Sequence, residues 1–203
     1  MSIEVKISKQ RIPYKKAMYD LEKRVEDVKK GLKKELIWIL EHPITYTAGI
    51  RSNKSEVLDK NIKIIKTNRG GKITLHNPGQ KIIYFVLDLN KRKKDIRLLL
   101  KVIETSIIEV LKIYNINGIS DQKNIGIWVK NKKISAIGIK VKRWIAYHGC
   151  SININNDLSK YKKIIPCGLS NDEITSFDDL GVKNILNLNK NIKEIFIKNL
   201  TKI

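Results

Sequence analysis

Several residue types are scarce in this chain, and each scarcity excludes something. Cysteine occurs twice in 203 residues, too few for a disulfide framework, so a reducing cytoplasm is the expected compartment. Three histidines, His42, His76 and His148, stand far apart, with no i,i+4 pair and no C-x-x-C, so no metal site is expected. Aromatic residues make up 6% of the chain. They form no RNP-like strand, and there is no zinc-finger or homeodomain pattern, which argues against a nucleic-acid-binding module. The longest apolar runs, such as LIWIL at 36–40, are too short to span a bilayer. The N-terminal MSIEVKISKQRIPYKK lacks the apolar core of a secretory signal. Acidic residues number 20 against 41 lysines and arginines, a net charge of +21. That surplus suits acidic partners, an anionic surface or nucleic acid. The plainer account is a composition rich in Lys, Ile and Asn, with many lysines serving as solvated filler.

The residues that are present suit a soluble globular chain, expected to form one domain over 1–203. Met18, Leu21, Val25, Val28 and Leu32 recur at three- and four-residue steps, predicting a helix over 13–32 with Pro13 at its start. A second apolar stripe predicts a helix over 95–114, and a third a helix from about 187 to 203. Strands are predicted at 35–40, 61–67 and 81–90, the last apolar throughout and so covered on both faces. IGIWVK at 125–130 and KISAIGIKV at 133–141 read as a hairpin around Asn131-Lys132, followed by a strand over 144–155. The predicted class is α+β: a mixed β-sheet flanked by helices.

Two stretches carry chemistry. NRGGKITLHNPGQ at 68–80 packs three glycines, Arg69 and His76 between two strands. Gly70 and Gly71 let a ligand approach the backbone, and Arg69 offers a fork of donors. No G-x-x-x-x-G-K-[ST] or G-x-G-x-x-G occurs, so the usual nucleotide loops are absent. The second stretch is IIPCG at 164–168. Free cysteines are usually small buried hydrophobes, but Pro166 stiffens the approach to Cys167, and Gly168 leaves an uncrowded N–H as an oxyanion donor. A nucleophilic thiol needs a basic or positive neighbour. Lys133, Lys140, Lys142, His76 and His148 all qualify, and spacing does not choose among them.

In this order, RGGKITLHNPGQ, KISAIGIKVKRWIAYHG and IIPCG resemble the octanoyl-[acyl-carrier-protein]–protein octanoyltransferases, from about Glu41 to Ser176. The family pattern is close to R-G-G-x-x-T-Y-H-G-P-G-Q, then K-[IV]-x-x-[IL]-G, then H-G, then P-C-G. The resemblance implies a fold like the catalytic domain of biotin and lipoate protein ligases. It implies octanoyl transfer from octanoyl-acyl-carrier protein, through a cysteine thioester, to lysines on the lipoyl domains of 2-oxoacid dehydrogenase subunits and on the glycine cleavage H protein. By position Cys167 matches the acyl-accepting cysteine and Lys133 the catalytic lysine. The substrate-binding set it implies is Arg69, Gly70, Gly71, Lys72, Ile73, Thr74, Leu75 and His76 from the loop. Ala136, Ile137 and Gly138 join it from one strand, and Gly149, Cys150 and Ser151 from another. No cofactor is implied; a cytoplasmic monomer that engages neither nucleic acid nor membrane is expected. Leu75 replaces the family's Tyr, and Asn77 its Gly, at a position where asparagine is expected to tolerate a left-handed backbone. Cys150 is expected to be a pocket thiol acting as a small hydrophobe. The rivals are an ATP-dependent ligase on the same fold, a cysteine hydrolase and a basic nucleic-acid-binding module.

Overall fold

The computed structural model describes residues 2–121, 124–166 and 173–203. In chain order the elements are β1 (Ile3–Ile7), α1 (Tyr14–Lys29), β2 (Glu35–Leu40), β3 (Thr45–Ala48), β4 (Ile64–Lys66), β5 (Ile73–His76) and β6 (Gln80–Asp88). There follow α2 (Ile96–Ile113), β7 (Ile119–Ser120), β8 (Gly126–Val129), β9 (Lys132–Lys142), β10 (Ile145–Asn153) and α3 (Leu188–Leu200).

Seven strands form one sheet in the order β1-β2-β6-β10-β9-β8-β7, and three form a smaller one, β4-β3-β5. The large sheet is mixed: β1 runs parallel to β2, and every other neighbour is antiparallel. β6 is an interior strand with both faces covered, as its unbroken apolar run predicts. Ile83, Phe85 and Leu87 face a core closed by α2 and α3, while Ile82, Tyr84 and Val86 face α1. α1 covers part of β2, β6 and the start of β10 on its face, through Ala17, Leu21, Val25 and Val28. Beyond it, the loop at 68–72 comes down on β9. A Cβ placed on Gly138 would lie 3.3 Å from the Gly70 carbonyl oxygen, and one on Gly70 would lie 3.2 Å from that of Ile139. The site lies under this loop.

The α+β expectation, a mixed sheet flanked by helices, holds. Three local readings change. The first helix stops at Lys29, where Gly31 takes φ +71°, a conformation that costs glycine little. Leu32 therefore leaves the stripe and is 70% exposed. Residues 73–76, taken as part of a loop, form β5, paired antiparallel with β3. Asn77 does not need the left-handed backbone expected of it; Gly79 takes that role at φ +85°. The Asn77 side chain donates to the Asp157 carbonyl at 2.9 Å and accepts from Asn156 at 3.1 Å.

Candidate active site

One cleft, about 520 Å³ including its open mouth, falls in the roughly 300–1,000 Å³ range typical of small-ligand sites. β9 supplies Ala136, Ile137 and Gly138 to it, and β10 supplies Gly149, Cys150 and Ser151. Arg69, Gly70, Gly71 and Lys72 form the loop wall, with Thr74 and His76 from β5. The side chains of Ile73 and Leu75 go elsewhere, into a separate cluster with Tyr46, Tyr161, Ile164 and Ile174. Alternation along β5 accounts for this: 74 and 76 face the cleft, 73 and 75 the small sheet's own core.

Gly149 is fixed by crowding. A Cβ there would sit 1.9 Å from the Ile83 carbonyl oxygen on the neighbouring strand. Cys150 lines the cleft and joins the main core; burial pushes its thiol well above the usual range, which suits an inert side chain.

Arg69 does not aim its fork into open space. One Nη donates to both the Thr47 carbonyl and hydroxyl at 2.9 Å, and the other to the Gly70 carbonyl at 2.9 Å. The guanidinium therefore ties the glycine loop to β3, holding the wall that a ligand would meet. Lys72, on the same loop, pairs with Glu56 at 3.3 Å.

The floor holds a ring cluster that the sequence did not reveal. Tyr14 stacks on His76 with centroids 5.8 Å apart, and His42 lies edge-on to both, at 5.3 Å and 5.5 Å. The Ile12 carbonyl can only accept, so His42 donates to it from Nδ1 at 2.5 Å and accepts from the Tyr84 hydroxyl at Nε2, at 2.8 Å. A directional chain fixes His76 in the same way. Gln80 Nε2 donates to Asn153 Oδ1 and Tyr161 Oη at 2.9 Å, so Gln80 Oε1 accepts from His76 Nδ1–H at 2.8 Å. His148 takes φ +68°, costly for a non-glycine residue by about 1–3 kcal/mol. Its Nε2 bonds Asn68 Oδ1 at 2.9 Å, joining β10 to the loop. The only sequence signal for this cluster was that Tyr14 and Tyr84 interrupt otherwise aliphatic or charged faces.

Burial is the main reason these rings stay neutral: His42 is lowered to about 4, and His76 and His148 to about 3, from 6.5. Below pH 6.5 the unfolded chain takes up protons that the folded chain refuses. Stability from these sites is thus whole above pH 6.5 and falls as pH drops, by about 1.4 kcal/mol per unit for each ring. Urea midpoints at pH 7.5 and pH 5 should differ accordingly, with His148→Gln flattening the dependence. Equal midpoints would refute the assignment.

Lys133 lies beyond the inner end of the cleft. It is 7% exposed and lines a second, smaller cavity with Ser135, Asn153, Tyr161, Ile174 and Pro166. Thr74, Ala136 and Ser151 line both cavities. Of the five basic candidates, Lys133 is the one that shares its cavity with Pro166, the residue before Cys167. Cys167 itself, with Gly168, falls outside the described residues. The segment after it is anchored where description resumes: Lys133 bridges Ile174 in parallel, and Thr175 N–H donates to the Lys133 carbonyl at 3.0 Å. Asn153 donates to the Thr175 carbonyl at 2.9 Å. Among the described residues no cluster of His, Cys, Asp or Glu could hold a metal ion, and no helix is long and apolar enough to cross a membrane.

Against known proteins, the model of the family described as the lipoyl protein ligase A/B catalytic domain matches residues 14–200. An octanoyltransferase from Wolbachia sp. subsp. Brugia malayi (strain TRS) is 45% identical over 202 residues, covering 97% of this chain and 98% of the relative. A lipoate-protein ligase A crystallised with ATP shares the fold at TM-score 0.77 and 13% identity, over 98% of this chain and 86% of that one. A Thermoplasma acidophilum bi-partite lipoate protein ligase, studied with its E2 lipoyl domain, aligns at TM-score 0.70 and 13% identity, over 99% of this chain and 84% of that one.

Proposed function

The chain belongs to the lipoyl protein ligase A/B catalytic domain family, and within it we propose that this chain transfers an octanoyl group onto a lysine of a lipoyl domain by way of a thioester on Cys167. The observation that carries the reading is the burial of Lys133 in a cavity that continues the cleft and is lined by Pro166. A relative of nearly the same length, named as an octanoyltransferase, supports the acyl group. The lipoyl domain paired with a structural neighbour supports the acceptor class.

Lys133 takes the proton of the Cys167 thiol, and the thiolate–ammonium pair stabilises itself. The thiolate attacks the carbonyl of octanoyl-acyl-carrier protein; the carrier's sulfur leaves and receives the proton held by Lys133. One thioester replaces another at little cost. The acceptor's lysine amine then attacks the acyl-cysteine, neutral Lys133 removes the proton from its nitrogen, and the acyl C–S bond breaks to release the Cys167 thiolate, which restores the starting thiolate–ammonium pair. The octanoyl chain lies between the glycine loop and the narrow Gly138–Gly149 strip, where two missing side chains leave room for a thin alkyl chain. The acceptors in this reading are lipoyl domains of 2-oxoacid dehydrogenases and the glycine cleavage H protein. The setting is the cytoplasm, and the acting form is a monomer of one domain. An excess of positive charge speeds encounter with acidic carriers.

The test is intact-protein mass spectrometry after mixing with octanoyl-carrier protein and no ATP. Wild type should gain one octanoyl group that discharges to an added lipoyl domain, and Cys167→Ser should form no thioester. Transfer that requires ATP, with no adduct, would replace this reading with an adenylating ligase. Free octanoate in place of acylated lipoyl domain would indicate a hydrolase.

A further inference from the structure

Along β9, Ile137, Ile139 and Val141 pack against the main core, while Ala136 and Gly138 line the cleft. Strict alternation carried back toward the start of the strand would put Lys133 on the core side and Ile134 in the cavity. The structure has the reverse: Ile134 is fully buried in the core, and Lys133 lines the cavity. The cause is a slip in register. Ile127 of β8 faces Ser135, but Trp128 faces Lys133, so Ile134 is an extra residue on β9. One bulged residue reverses the phase of everything before it.

Two β8 residues then receive the re-aimed side chain. The Trp128 ring lies 5.2 Å from Lys133 Nζ, a distance at which a ring face attracts a cation. Its indole N–H donates to the Asn124 carbonyl at 3.0 Å, fixing the ring independently of the lysine. Gly126, at φ +146°, has no side chain where Lys133 needs space: a Cβ there would fall 2.3 Å from Lys133 Cε and 3.2 Å from Nζ.

We propose that Gly126 and Trp128 are positioning residues for acyl transfer, forming with the Ile134 bulge a seat that holds the Lys133 ammonium in the cavity beside Pro166. The proposal rests on the reading of Lys133 given above. A Cβ on Gly126 would also fall 2.5 Å from the Ser135 carbonyl oxygen, so Gly126→Ala perturbs the backbone too. Trp128→Leu and Trp128→Phe carry the test instead.

The rate of octanoyl adduct formation, and its pH profile, are measured for both variants in the wild-type and Lys133→Met backgrounds. Trp128→Leu should slow adduct formation about tenfold or more and move the pH midpoint, whereas Trp128→Phe, which keeps a ring face, retains most of the rate. In the Lys133→Met background Trp128→Leu should change nothing further, because the two act through one group. Equal slowing in both backgrounds, or none in the wild-type background, overturns the proposal. A second readout separates the seat from the chemistry. In the resting protein the ε-methylene protons of Lys133, assigned by their loss in Lys133→Met, should be shifted upfield by the indole and should return in Trp128→Leu. Shifted protons without any octanoyl adduct would keep the seat and sink the transfer reading; unshifted protons would sink the seat.

Discussion

Lys133→Met is expected to fold normally and to lose about 10²–10⁴-fold in octanoyl transfer, the range associated with removing a positioned acid–base group. Methionine keeps much of the aliphatic stem and removes the ammonium that lies over the Trp128 ring, so packing changes little. The loss should appear in both half-reactions. Cys167 loses the partner that favours its thiolate, so alkylation by iodoacetamide should shift its pH midpoint toward the free-cysteine value of about 8.5. Discharge of a preformed octanoyl-enzyme to a lipoyl domain should slow as well, since no base receives the amine proton. Single-turnover assays of each half, with thermal unfolding as the control, make the check. Near-normal transfer by a folded Lys133→Met protein would remove Lys133 from the mechanism.

The second large effect is on folding. Gly149→Ala should cost about 3 kcal/mol or more, a fall in Tm of roughly 10 °C, because its Cβ would meet the Ile83 carbonyl oxygen at 1.9 Å. That oxygen belongs to the interior strand β6, paired on both sides, and it cannot move without disturbing both neighbouring strands. Gly138→Ala is the informative comparison. Its nearest contact would be the Gly70 carbonyl at 3.3 Å, on a loop that can give by a few tenths of an ångström. That variant should fold and favour shorter acyl chains. Differential scanning calorimetry on the pair tests the contrast; equal Tm values would mean that the crowding at Gly149 is relieved in some other way.

These two sites also mark how far the sequence could be read. The long regular elements declared themselves: α2 and β6 follow periodicities of 3.6 and continuous apolarity, and the hairpin between β8 and β9 was visible from its polar turn. The turn falls at Lys130 and Asn131, one residue before the expected Asn131-Lys132, and both take positive φ, as the tight connection requires. The loop wall of the cleft was legible because Arg69, Gly70 and Gly71 stood together between apolar strands, whereas its β9 and β10 residues came from the family resemblance alone. Three things were not. The bulge at Ile134 leaves no mark in composition, yet it alone puts Lys133 on the face of Ala136 and Gly138. The ring cluster of Tyr14, His42, His76 and Tyr84 draws on four separate elements and connections, so only tertiary packing reveals it. Arg69 looked like a ligand donor; its bonds to Thr47 and Gly70 depend on β3 pairing with β5, a contact between strands too short to predict from pattern.

The pairing of β6 with β10 has a kinetic consequence. Gln80 lies opposite Asn153 and Asp88 opposite Ile145, partners on the order of sixty residues apart, so this ladder closes a long loop before any contact compensates its entropy. α1, α2 and the β8–β9 hairpin draw on local contacts and form early by comparison. The cleft, lined by β10 and β9 on one side and by the glycine loop and β5 on the other, is therefore assembled at the end of folding. A ligand seated in it engages only the finished sheet, so an acyl group bound there slows unfolding rather than speeding folding.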